Sequence, residues 1–320
     1  MAVSTIFPGE SYNRETMHSI QIPDQKQIVD KAKAAFVGLA IGDALGATCE
    51  FMTPGEIKLR YGVHKQIIGK GWLFLKAGQV TDDTEMSICI GRAIRDSRGW
   101  NLRAVAEEFA DWVRGRPVDV GSTCSRGIRN YLIHQTLEMP PSRWSAGNGA
   151  LMRMLPVALY TLGNDELLTQ YVVEQAHLTH NNPLSDAACI FFGRLLHEAL
   201  TGAGLNQLQI HTDDFVEEHS DFNYHPYPGK SSAYVVDTVQ TVFHFLFSTA
   251  TFEECLIGTV NQGGDADTTG ALAGMLAGAV HGIEGIPKRW LKRLDSRVYS
   301  EVEALSEYLV THSPALVIKT

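Results

Sequence analysis

Between Gly270 and Gly282 the chain reads GALAGMLAGAVHG, a run in which every residue except His281 is small or apolar. A surface helix keeps one polar face for water; a helix with none has to be surrounded by protein. The apolar run, about Gly270 to Val280, is far shorter than the roughly 20 residues a membrane span needs. This is therefore a core helix, and its small residues let neighbouring helices pack close to it. The preceding residues are VNQGGDADTT, so its first turn carries Asp265 and Asp267 into a buried place. Gly263 and Gly264 let the backbone turn tightly at that point. A buried carboxylate without a partner is costly, and the rest of the sequence has to supply one.

Helical periodicity runs through most of the remainder. QIVDKAKAAFVGLAIGDALGATCEF places Ile28, Ala32, Ala35, Phe36, Leu39 and Ala40 on a 3.6-residue period that becomes apolar all round. Comparable patterns follow in TEMSICIGRAIRD, NLRAVAEEFADWVRG, CSRGIRNYLIHQTL, GALMRMLPVALYTL and SAYVVDTVQTVFHFLFS, among others, and period-2 strand signals are nearly absent. Connections are short and marked by Gly, Pro, Asn and Ser. The pattern predicts one all-α domain over residues 25–320. Residues 1–24 are polar and aperiodic and read as a weakly packed extension. Residues 204–232 are acidic and contain proline, and read as a long loop, a kind that is usually functional or mobile.

The chain's 320 residues are enough for a sizeable core, and a formal charge of −9 argues against binding nucleic acid through phosphate neutralisation. Five widely spaced cysteines without a C-x-x-C pair suit a reduced, cytoplasmic compartment. No basic stretch followed by an apolar one opens the chain, so no secretory signal is expected.

A second acidic cluster, Thr81-Asp82-Asp83-Thr84, opens another helix far from the first. Two readings are open for both clusters. Asp82 with Glu85 fits a capping pattern, acids in a first turn complement the helix dipole, and Asp or Thr can cap DADTTG in the same way. The clusters nevertheless hold more acid than one cap requires, and hard cations such as Mg²⁺ or Mn²⁺ take carboxylate and hydroxyl oxygens as ligands. Two such helix ends brought together could hold two metal ions with a diphosphate. Gly147-Asn148-Gly149 precedes an apparent helix, either as an ordinary turn or as backbone N–H groups open to an anion. GKSS at Gly229–Ser232 lacks the strand and the earlier glycine of a P-loop. His177 and His180 have no further His or Cys partner, which excludes a zinc site there; His180 suits a helix cap or a ligand hydrogen bond.

Taken in order, GLAIGDALGATCEF, TDDTEM, RPVDVGST, GNGALMR, THNNPLSD and GGDADTTGALAG resemble the ADP-ribosylglycohydrolase family, over about residues 30–290. Within it they most resemble the branch that activates dinitrogenase reductase in nitrogen-fixing bacteria. TDDT together with GGDADTTG is the specific part of the match. The resemblance implies a compact, orthogonal multi-helix bundle with two Mn²⁺ or Mg²⁺ ions. It implies Thr81, Asp82 and Asp83 as one ligand set and Asp265, Asp267 and Thr268 as the other, with Asp267 bridging. Glu50 falls where the family has an acid near the metals, and Asp119 matches an acid near the substrate ribose. Gly147, Asn148 and Gly149 fit a diphosphate contact, and His180 fits the adenosine side of the cleft. Ser122 stands where that branch has Asn; its hydroxyl can still reach ribose, directly or through water.

The expected activity is hydrolysis of the N-glycosidic bond between ADP-ribose and an arginine of a target protein, with dinitrogenase reductase as the implied target. Asp119, or else Glu50, would move protons. The branch also implies regulation through PII signalling proteins and an ammonium-channel protein, hence a cytoplasmic chain held reversibly at the membrane by a partner. Two other readings remain open: a protein that binds ADP-ribose without cleaving it, and a dinuclear-metal phosphohydrolase.

Overall fold

The computed structural model describes residues 24–316. The expected N-terminal extension, except for Asp24, lies outside them. Fourteen α-helices follow in chain order: α1 (Gln25–Gly46), α2 (Pro54–Tyr61), α3 (Asp82–Ser97), α4 (Leu102–Arg114), α5 (Ser122–His134), α6 (Leu155–Tyr160), α7 (Asp165–His177), α8 (Pro183–Leu200), α9 (Leu205–Glu218), α10 (Val235–Ser248), α11 (Phe252–Val260), α12 (Ala266–Gly285), α13 (Lys288–Leu291) and α14 (Ser296–Thr311). The described residues contain no strand, only the isolated bridges Lys70–Leu75 and Gly147–Tyr234. The fold is all-α, as the periodicity predicts.

The apolar helix of the opening argument is α12, and it lies at the centre. Every residue from Ala266 to Ala279 is buried, and so is every residue of α1 from Ala34 to Gly46. The two run antiparallel, with small residues four apart facing one another. Gly38 meets Gly274, Gly42 meets Gly270 and Gly46 meets Ala266, backbone against backbone. A Cβ added at Gly270 would sit only 2.6 Å from the Gly42 carbonyl oxygen. This approach sets the register that brings the C-terminal end of α1 beside the first turn of α12. Around the pair pack α14, α11, α10, α8 and α3. The helical backbone of α12 breaks at Gly282, where φ is 68°.

Two local expectations need correction. The segment read as a loop from residue 204 begins with α9, because Leu205, Leu208 and Phe215 form an apolar stripe and the acids face water. Leu208 is buried, and Phe215 stacks on Phe191 with ring centroids 3.9 Å apart. Only residues 219–234 are irregular, apart from one short 3₁₀ turn. The stretch GALMRMLPVALYTL is not one helix either. Asn148–Ala150 is a 3₁₀ turn, and the α-helix starts only at Leu155, with Pro156 in its first turn where a missing N–H is harmless. Gly147-Asn148-Gly149 therefore opens no helix long enough to supply a dipole to an anion.

Candidate active site

Three chain segments converge on one cleft of about 770 Å³. The end of α1 brings Asp43 and, just beyond it, Glu50; the start of α3 brings Thr81, Asp82 and Asp83; the start of α12 brings Asp265, Asp267 and Thr268. Asp119 and Ser122 arrive on the turn into α5, and His180 on the turn after α7. Every site residue singled out from the sequence lines this cleft except Thr81 and Asp83, which are buried just behind it.

The capping alternative is settled by hydrogen bonds. Thr81 and Asp265 occupy the N-cap positions of α3 and α12, yet neither side chain caps its helix. The N-terminus of α3 is capped from another helix: Asp43 Oδ2 accepts the Thr84 N–H at 3.2 Å, and its two oxygens accept the Thr81 N–H at 3.0 and 3.1 Å. Glu85, the expected capping partner, accepts instead from Trp112 Nε1 at 2.7 Å. The acids at both helix starts thus do no side-chain capping, although Asp82, Asp83 and Asp267 stand in first turns where they complement the helix dipole.

Their actual partners are few. Asp82 Oδ2 accepts the Gly121 N–H at 2.9 Å, and Asp265 Oδ2 accepts from Asn148 Nδ2 at 2.5 Å. Asp267 Oδ1 accepts the Thr268 N–H at 2.9 Å. Thr268 donates its hydroxyl to Asp83 Oδ2 at 3.2 Å, tying α12 to α3, while Thr81 Oγ1 lies 3.0 Å from Asp43 Oδ1 and 3.2 Å from Asp83 Oδ2. The other oxygen of Asp83 is buried with no hydrogen-bond partner. Among the described residues no Lys or Arg pairs with any of these carboxylates.

Burial without a cation raises the acids' affinity for protons. Asp43 and Asp82 are each pushed up to about 7, and Glu50 to about 8, chiefly by burial; for Glu50, Asp119 and Asp265 add to it. Asp83 and Asp267 are raised well above the usual carboxylate range by burial and by neighbouring carboxylates. One oxygen each from Glu50, Asp265 and Asp267 lies within 4.8 Å of the others. An oxygen-only donor set with an orphaned carboxylate oxygen fits hard divalent cations. Glu50 stands in the one group of acids, with Asp265 and Asp267, whose oxygens are close enough together to hold such a cation among the described residues.

This has a measurable consequence. The ordinary values are 3.8 for Asp and 4.5 for Glu, so between about pH 4 and pH 8 the metal-free folded chain holds protons that the unfolded chain has released. Stability then falls as pH rises through that window. In chelator, the melting temperature is expected to drop from pH 5 to pH 8, and Mn²⁺ to restore it most at pH 8. Occupancy at a hundred times the dissociation constant corresponds to about 2.7 kcal/mol. A metal-free melting temperature that stays level or rises across the window would contradict this account.

Away from the acids, the cleft presents a neutral imidazole held in a fixed orientation. Arg153, fully buried, donates to Gln175 Oε1 at 2.8 Å and to Thr179 Oγ1 at 2.8 Å, with its guanidinium over the Phe109 ring. The Thr179 hydroxyl thereby accepts from Arg153, and its one proton has His180 Nδ1 as partner at 2.7 Å. That hydrogen-bond assignment leaves Nε2 carrying the imidazole proton and turned to the cleft. Burial, with Arg153 and Arg126 nearby, lowers His180 to about 3, so the ring is neutral. Gly147 and Gly149 pack directly against it: a Cβ on Gly149 would lie 2.7 Å from His180 Cε1 and 2.8 Å from Cys124 Sγ. His177 takes no part and bonds Asp186 at 3.0 Å.

Two members of the site escaped the sequence reading. Asp43 was legible only as the one charged residue in the apolar C-terminal half of α1, Ala34–Gly46. Trp72, in the loop after α2, donates Nε1 to Glu50 Oε2 at 2.5 Å and lines the cleft. The loop after α9 also closes on the site: the Ser231 carbonyl accepts the Asp265 N–H at 3.0 Å, and the Ala233 carbonyl accepts the Asn148 N–H at 3.0 Å.

The chain and its fold are similar to known proteins. The family model described as ADP-ribosylglycohydrolase matches residues 24–315. An ADP-ribosyl-[dinitrogen reductase] glycohydrolase of Rhodospirillum rubrum is 55% identical over 273 residues, 85% of this chain and 93% of that protein. The ADP-ribosylarginine hydrolase Tri1 of Serratia proteamaculans is 29% identical over 92% of this chain and 82% of its own length. Among solved structures, an ADP-ribosylglycohydrolase-related protein complex superposes with a TM-score of 0.78 at 30% identity, covering 90% of this chain and 99% of that one. The chain belongs to the ADP-ribosylglycohydrolase family.

Proposed function

We propose that this glycohydrolase releases ADP-ribose from a modified arginine of a target protein with the help of two divalent cations, and that its target is dinitrogenase reductase. The observation that carries the reading is the convergence of Glu50, Asp82, Asp265 and Asp267 on one cleft, with Asp83 buried just behind them and no Lys or Arg paired with any of the five among the described residues. Identity to the Rhodospirillum rubrum protein over most of both chains supports the target. In this reading Thr81, Asp82 and Asp83 hold one cation and Asp265, Asp267 and Thr268 the other, with Glu50 beside them; Mn²⁺ and Mg²⁺ both suit oxygen donors. Bound there, the cations supply Lewis acidity and countercharge to ribose oxygens.

The protein groups divide the remaining work. Water adds to the anomeric carbon as the bond to the guanidine nitrogen breaks; the water loses a proton and the departing nitrogen gains one. Asp119 is the proton carrier. It lines the cleft, and only one of its oxygens is engaged, by the Val120 N–H at 2.8 Å. Burial raises its proton affinity above that of an ordinary carboxylate, against the opposing pull of the Val120 N–H. Ser122, at the first position of α5, faces the same space for a ribose hydroxyl. His180 Nε2 offers one donor to the nucleoside end, and the Gly147–Gly149 turn approaches the diphosphate through its backbone.

Five buried, unpaired cysteines fit a reducing compartment, and no described helix is long and apolar enough to cross a membrane. The same proposal includes a cytoplasmic chain held reversibly at the membrane through PII signalling and ammonium-channel proteins.

Product analysis tests the chemistry. With Mn²⁺, arginine-ADP-ribosylated dinitrogenase reductase is expected to yield intact ADP-ribose by mass, and with chelator none. Binding of ADP-ribose without release would identify a binding protein, and AMP among the products a phosphohydrolase.

A further inference from the structure

Two exposed aromatic rings separate the cleft from a second groove. Phe51 is 66% and Trp72 47% exposed, their ring centroids lie 5.1 Å apart, and both line the cleft on one side. On the other side they border a groove of about 710 Å³ that continues along α2 past Leu59 and Arg60. Glu50 reaches both spaces, whereas His180 and the Gly147–Gly149 turn line only the first. The groove therefore adjoins the cation-binding end of the cleft and not its nucleoside end.

The rings are held out in water by their own scaffold. Phe51 has φ 61°, a left-handed conformation uncommon for a residue with a bulky side chain. Its N–H bonds the Gly264 carbonyl at 2.6 Å, and the Gly264 N–H bonds the Met52 carbonyl at 2.8 Å, next to Asp265. Trp72 is fixed through its bond to Glu50. Along the groove α2 is locked by a capping box between Thr53 and Glu56, and it displays Leu59 at 90% exposure. Isolated apolar residues on a surface need no explanation; rigid ones lined up at the mouth of an active site do. Pre-ordered aromatic rings of this kind supply much of the binding energy in protein interfaces.

We infer that the groove bounded by Phe51, Leu59 and Trp72 is the docking surface for the polypeptide segment that carries the modified arginine. The inference rests on the hydrolase reading above, which places the scissile bond at Glu50, Asp119 and Asp267. The Phe51–Trp72 wall and Glu50 face both spaces, so a polypeptide attached to that bond has a path from the cleft into the groove across this wall. The chemistry suits it: a planar guanidinium stacks on aromatic faces, and apolar side chains flanking it find Leu59. ADP-ribose itself needs none of these residues beyond the wall.

The test compares two substrates in the full chain with Mn²⁺: arginine-ADP-ribosylated dinitrogenase reductase and free ADP-ribosylarginine. Leu59→Ser is expected to raise KM for the protein about tenfold, the loss of one buried leucine side chain, with kcat unchanged. Both parameters for free ADP-ribosylarginine should stay within about twofold. Ile133→Ser, a change at another exposed aliphatic side chain, 64% exposed, at the far end of α5, should alter neither substrate. An unchanged KM for the protein in Leu59→Ser, or an equal loss with both substrates, overturns the inference. So does a wild-type dimer that Leu59→Ser dissociates without changing KM, which would assign the groove to a second copy. A wild-type chain that cleaves neither substrate overturns the hydrolase reading, and the docking surface with it.

Discussion

Replacing Asp267 by Ala is expected to cut metal-dependent release of ADP-ribose by about a thousandfold or more while leaving the fold intact. A catalytic cation contributes several kcal/mol to its transition state, and each 1.36 kcal/mol is a factor of ten. The fold has little reason to suffer. Asp267 sits in the first turn of α12 without capping it, and its recorded hydrogen bond runs only to the N–H of the next residue. Alanine is the strongest helix former. Removing one buried acid from a set of like charges also relieves repulsion, because Glu50, Asp83 and Asp265 all raise Asp267's affinity for protons. The metal-free variant should accordingly melt no lower than metal-free wild type at pH 8, and should gain less from added Mn²⁺. Full turnover in the variant would contradict the ligand assignment; a collapsed melting temperature would contradict the claim that this acid serves chemistry and not structure.

The second large effect belongs to the scaffold. Gly42→Val is expected to destabilise the chain by about 3 kcal/mol or more, at the upper end of what overpacking costs. The added side chain would collide with the Gly270 carbonyl and the Ala271 N–H of α12. A backbone inside a helix cannot rotate aside, so α1 and α12 have to part. Parting moves Asp43 and Glu50 away from Asp265 and Asp267, and turnover should fall together with stability. For a chain of this size the melting temperature should drop by roughly 4 °C or more. Gly204→Ala serves as a control, since an added methyl group there meets open space. Thermal melting with wild type in parallel checks both, and a Gly42→Val chain as stable as wild type would show that the close approach of these helices is not required.

The contrast between these two substitutions shows what the sequence discloses. Composition alone marked α12 as a core helix, and its two acids as carboxylates in need of a partner. The helical periodicity of α1 ran true, with Ala34 to Gly46 all buried. What no local pattern could show was the pairing. Asp43 caps α3 from some forty residues away, so the capping motif written into Thr81–Glu85 was the wrong place to look. Trp72 stands in an irregular loop, where nothing periodic singles it out, and its role appears only when the chain brings Glu50 beside it. The acids of α9 made a helix read as a loop, because surface charge is common to both and only Leu205, Leu208 and Phe215 separate them. The Gly147–Gly149 turn lines the cleft for reasons that no local pattern displays: its glycines make room for His180, and its asparagine holds Asp265.

The central claim is that the carboxylates meeting at the ends of α1, α3 and α12 form a two-cation site. A crystal of the full chain grown with Mn²⁺, with anomalous differences collected at the manganese edge, tests it most directly. The account predicts two strong peaks among Asp82, Asp83, Asp265 and Asp267, with Glu50 beside them. No peak in that cluster, in crystals of a chain that releases ADP-ribose with Mn²⁺, would contradict it.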